Sequence, residues 1–105
     1  MNAIMPENQP RINKAILKKT GVRVKQSMPG RMRIRVNSLQ RREERASWMQ
    51  EHLRRADGIS TVEIRSATGS VIICFNPEEI SIKGILREVI EQILHPVSYP
   101  ESLEA

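Results

Sequence analysis

Residues 31–36 read Arg-Met-Arg-Ile-Arg-Val, a strict alternation of basic and apolar side chains. A strand sends successive side chains to opposite faces, whereas a helix would scatter these six around its circumference. The segment is therefore a half-buried strand. Met32, Ile34 and Val36 share one face, and Arg31, Arg33 and Arg35 share the other. Side chains two apart stand about 7 Å from each other, so the three arginines repel. They require water or compensating anions, and Glu63 on a neighbouring strand is one internal candidate.

The flanking segments give this strand its partners. Val22 and Val24 alternate with Arg23 and Lys25 as a short strand, and Pro29-Gly30 marks a turn. After the basic strand, Asn37-Ser38 offers capping oxygens for a helix. In that helix Ala46, Met49, Leu53 and Ala56 recur at helical spacing, with Trp48 beside them. Glu43 and Glu44 near its start and Arg54 and Arg55 near its end suit the helix dipole. Val62 and Ile64 oppose Glu63 and Arg65 in the next strand, and Ala67-Thr68-Gly69 reads as a hairpin turn. Residues 70–76, SVIICFN, are apolar on both faces, which suits a central strand. Ser81 caps a last helix with an apolar stripe of Ile82, Ile85, Leu86, Val89, Ile90 and Ile93, and Val97–Tyr99 supplies a short closing strand.

The order strand, helix, strand, strand, helix, strand predicts an α+β fold, a ferredoxin-like βαββαβ sandwich. Two helices cover one face of a small antiparallel sheet, because this buries the apolar side of both layers at once. The other face stays open, carrying Arg31, Arg33, Arg35, Glu63, Arg65, Ile72 and Cys74. The domain is expected over residues 22–99, preceded by a flexible basic arm at 1–21 and followed by a tail at 100–105. Within the arm, RINKAILKK at 11–19 has enough apolar residues for one or two helical turns, but a helix that short is marginal in water.

Charge is distributed unevenly. Residues 1–42 hold eleven Lys/Arg against one acid, Glu7, and carry +10; residues 43–105 hold six against eleven and carry −5, which together make the +5 of the chain. Such a split points to a basic surface that meets an anionic partner, or to a charged, solvated tail. The partner-binding candidates are Arg23, Lys25, Arg31, Arg33, Arg35, Arg41 and Arg42. With one Trp, one Tyr and one Phe, the chain lacks the aromatic rings that stack single-stranded bases.

No catalytic constellation is legible, and an enzyme is not expected. Cys74 is the single cysteine, set in an apolar strand, and neither His52 nor His95 is near it in sequence. A soft-metal site built from Cys74 and His95 with Met28 or Met32 is the alternative, but no CxxC, HExxH or paired-histidine spacing supports it. No phosphate-cradling glycine motif is present. No cofactor is expected. No apolar run reaches the ~20 residues of a transmembrane helix, and the single cysteine fits a reducing compartment.

Three pieces carry a family resemblance: PGRMRIRV at 29–36, ADGISTVEIRSATGSVIICFNP at 56–77, and ISIKGILREVIEQI at 80–93. Over about Ser27 to Ile93 the chain resembles the heavy-metal-associated domain family, in the divergent branch that lacks its cysteine pair. ADGISTVEI looks like the family's pGVxxVxV junction between first helix and second strand. Metal-binding members carry two cysteines in the loop between first strand and first helix. Here that loop is Asn37–Arg42, with no cysteine, histidine, methionine or carboxylate.

The resemblance therefore implies the frame of a metal carrier without its usual grip, similar to the amino-terminal regulatory or docking domains of metal-transporting P-type ATPases. The expected function is a non-catalytic interaction or regulatory domain of metal homeostasis, docking through the basic arm and the arginine-lined strand on an acidic protein surface. That surface would belong to a metal-transporting membrane ATPase or a storage compartment. The expected location is cytoplasmic, peripheral to a membrane through the partner. A soft-metal carrier with atypical ligands and a nonspecific nucleic-acid binder are the alternatives.

Overall fold

The computed structural model describes residues 12–95. The leader at 1–10, the closing strand expected at Val97–Tyr99 and the tail at 100–105 lie outside the described residues. The elements in chain order are α1 (Lys14–Thr20), β1 (Val22–Met28), β2 (Arg31–Val36), a 3-10 turn (Asn37–Leu39), α2 (Glu43–Arg54), β3 (Ile59–Arg65), β4 (Ser70–Phe75) and α3 (Ile82–Leu94). They form an α+β fold of the ferredoxin-like kind, with one antiparallel sheet of order β1-β2-β4-β3. The doubly apolar strand β4 is central, as its sequence requires.

The basic strand β2 is paired on both sides. β4 takes one side and β1 takes the other. Pro29-Gly30 makes this second pairing local: it is a two-residue hairpin turn, with Gly30 at φ 86° supplying the left-handed position. β1 is longer than the 22–25 alternation suggests, because a register shift between Val24 and Gln26 skips Lys25 and lets pairing resume to Met28. A bulge carrying a lysine also discourages another strand from adding to this edge.

The core lies between the sheet and the helices. Met32, Ile34, Val36, Val71 and Ile73 from the central strands meet Met49 and Leu53 of α2 and Ile85, Val89 and Ile90 of α3, all at or below 4% exposure. Ser81 caps α3, its Oγ accepting from the Gly84 amide at 3.0 Å. Ser81→Ala is expected to cost about 1 kcal/mol, read as a lowered unfolding midpoint in denaturant.

Two local expectations are corrected. Within the stretch 1–21 expected as a flexible arm, Lys14–Thr20 is a helix. Asn13 caps it, with Oδ1 accepting from the Ile16 amide at 2.9 Å, and Ile12, Ile16 and Leu17 pack against the core. Tertiary burial stabilises a helix too short to stand alone. Asn37 and Ser38 do not cap α2 either. They begin the 3-10 turn, which buries Leu39, and α2 starts at Glu43 after Arg41 at φ 59°.

Candidate functional site

The register aligns the open face into three rows. The first runs Met28, Arg31, Cys74, Thr61; the second Gln26, Arg33, Ile72, Glu63; the third Arg23, Arg35, Ser70, Arg65. Every position expected on this face is there, and β1 widens it with Arg23, Gln26 and Met28. Met28 is 41% exposed, an apolar side chain beside Arg31 in a face no helix covers.

The arginines differ in how they are held. Arg35 is half-buried, and its Nε donates to the Thr68 carbonyl at 2.9 Å, tying β2 to the β3–β4 turn. Arg31 and Arg33 are exposed and have no hydrogen bond or ion pair among the described residues. Glu63 does not compensate them. β4 separates β3 from β2, placing Glu63 roughly two strand spacings, ~10 Å, away. Its Oε2 instead accepts from Arg65 Nε at 3.2 Å on its own strand.

The remaining partner-binding candidates lie at the margins. Lys25 sits at the bulge of the edge strand. Arg41 stands against the β3–β4 turn, its amide donating to the Ser66 carbonyl at 2.6 Å. Arg42 lies on the helical side, where it lines a trough with Lys18 and Lys19 of α1. Those lysines were missed as site residues because they belong to the stretch read as an arm.

The atypical metal set is not brought together. Cys74 and Met28 are on the open face with Arg31 between them, Met32 is fully buried on the core face, and His95 follows α3 on the helical side of the sheet. His52 reaches across from α2 to α3, its Nε2 lying 3.1 Å from Glu88 Oε1. Among the described residues no group of three His, Cys, Asp or Glu converges as a metal site. No helix among them is long and apolar enough to cross a membrane.

This frame, a basic βαββα core with an outer strand and helix added at its amino end, is matched by a family model over residues 7–102. The chain belongs to the heavy metal associated domain 2 family. The match extends past the Ser27–Ile93 stretch of the motifs and takes in α1 and β1. No curated protein and no solved structure matches the chain.

Proposed function

We propose that the protein is a non-catalytic interaction or regulatory domain of metal homeostasis, docking through its open sheet face on an acidic protein surface. Family membership supports the metal-associated role. The absence of ligand-type residues from Asn37–Arg42 favours docking over metal carriage through that loop. The observation that carries the reading is the pair Arg31 and Arg33, exposed and unpaired among the described residues, beside Met28 and Ile72. Guanidinium forks bind carboxylates through two parallel hydrogen bonds, and arginine next to apolar area is a frequent centre of binding energy. The partner is a metal-transporting membrane ATPase or a metal-storage compartment. The protein then works in the cytoplasm, reaching a membrane only through that partner. Nucleic acid is the weaker alternative, since the face carries no aromatic ring.

The test is affinity capture from the native cell with wild type and with Arg31→Ala/Arg33→Ala. Arg35 is left in place because it braces the Thr68 turn. Wild type retains a metal-transport or storage protein, and the double variant loses it. Both side chains are exposed, so the unfolding free energy changes by no more than about 0.5 kcal/mol per site. A folded double variant that captures the same partners overturns the docking face. Stoichiometric copper or zinc in the purified protein, abolished by Cys74→Ser, would instead establish a carrier.

A further inference from the structure

The open face constrains the shape of what docks on it as well as its charge. Arg31 and Arg33 lie two residues apart on β2, about 7 Å along the strand. Met28 of β1 stands opposite Arg31 on one side, and Ile72 of β4 stands opposite Arg33 on the other. Both backbone edges of β2 are engaged, one by β1 and one by β4, and β3 takes the far edge of β4. A partner above the arginines therefore meets side chains and a sheet backbone that is already paired. A strand adds to this four-stranded sheet only at an outer edge. Beside β1 it would lie two strand spacings from β2, ~10 Å, the same separation that keeps Glu63 from Arg31 and Arg33. It would also meet the register shift at Lys25.

We infer that the partner presents an amphipathic helix to this face, with carboxylates at positions i and i+4 and apolar residues between them. The inference rests on the docking reading of Arg31 and Arg33 and names the element they hold. An extended segment lying on the face would press its own amide and carbonyl groups against Met28 and Ile72, where they find no partner. A helix satisfies its backbone internally. Four residues of helix rise about 6 Å, close to the arginine spacing, and positions i and i+4 share a face. Two carboxylates so placed each meet one guanidinium fork. Positions i+1 and i+3 fall on the two sides of that pair. Leucine-sized side chains there cover Met28, which is exposed, and Ile72, which is half-buried. Carboxylates at i and i+2 point to opposite sides of a helix, so only one of them reaches the arginines.

Three synthetic alanine–glutamine peptides of about 20 residues test the geometry, a length at which such sequences are helical in water. The first has the central sequence Glu-Leu-Ala-Leu-Glu. The second is its isomer Leu-Glu-Ala-Glu-Leu, with the same charge and composition. The third is the first with its central alanine replaced by proline, which breaks the helix. Each is titrated into the full chain and followed by amide NMR. The first peptide shifts the amides of Met28, Arg31, Arg33 and Ile72 and binds at least about threefold more tightly than either of the others. Arg31 and Arg33 are exposed, so Arg31→Ala/Arg33→Ala keeps the fold, and it abolishes the preference. A smaller ratio, shifts confined to other surfaces, or a preference that survives in the double variant overturns the helix. A proline peptide that binds as tightly as the first overturns it in favour of an extended segment.

Partner capture from the cell is read separately. Capture lost in Arg31→Ala/Arg33→Ala, with no preference among the peptides, keeps the docking face and removes the helix. Capture unchanged in a folded double variant removes the docking face itself, and the helix with it.

Discussion

Replacing Gly69 with alanine lowers stability by about 3 kcal/mol. Gly69 closes the β3–β4 turn at φ +77°, a backbone region that side chains rarely adopt. Conformation is the smaller part of the cost. A Cβ at this position would stand 2.5 Å from the Val36 carbonyl oxygen. That oxygen is backbone at the end of β2, and it has little room to retreat. The Gly69 carbonyl itself accepts from the Val36 amide at 2.8 Å, so relieving the clash breaks a strand-end hydrogen bond. The same displacement disturbs Thr68, whose carbonyl anchors Arg35. For a domain of this size the loss corresponds to a fall of roughly 10–20 °C in melting temperature. Thermal unfolding followed by circular dichroism measures it. A Gly69→Ala protein that melts within ~2 °C of wild type would show that the turn is not packed against Val36.

Ile73→Ala is the second large effect. Ile73 is fully buried in the central strand β4, directly across from Met32 of β2 and Val62 of β3, with α2 and α3 above it. Truncation removes the transfer energy of the lost methyl and methylene groups and leaves a cavity that flanking strands cannot collapse. The expected cost is about 2–5 kcal/mol. Ile72, the adjacent residue, points to the open face and is only half-buried. Ile72→Ala is expected to cost under about 1 kcal/mol. Denaturant unfolding of the two variants therefore reads which face of β4 is covered. Similar losses from both would contradict an open basic face.

That contrast shows how far periodicity reaches. The alternation at 31–36 identifies a strand and its two faces because side-chain direction in a strand is a local property. The Ala46, Met49, Leu53 stripe does the same for α2. β4 was legible as central, since a strand apolar on both sides suits a position between two other strands. β1 was harder to read. Its alternation breaks at the bulge, so the run looks shorter than Val22–Met28. α1 was hidden for a different reason: seven residues have little intrinsic helicity, and the core against which Ile12, Ile16 and Leu17 pack includes residues of α3, distant in the chain.

The candidate surfaces divide along the same line. Arg31, Arg33 and Arg35 share a face in any strand, so the sequence names them together. It does not distinguish them. Arg35 is held because the β3–β4 turn reaches it, and Arg31 and Arg33 are unpaired because β4 keeps Glu63 two strands away. Lys18, Lys19 and Arg42 have no periodic relation at all. They meet only because the Gly21–Asn37 hydrogen bond closes α1 onto the loop before α2.

By itself, then, the sequence determined the basic strand, the faces of the helices, the βαββα order and the absence of paired cysteines from Asn37–Arg42. These follow from residue identity and from local geometry repeated every two or 3.6 residues. The tertiary structure alone decided that β4 flanks β2, that α1 belongs to the core, which arginines are bound internally, and where the lysines of α1 meet Arg42. Each of these is a contact between segments far apart along the chain, and local periodicity carries no information about which distant segments will pack together.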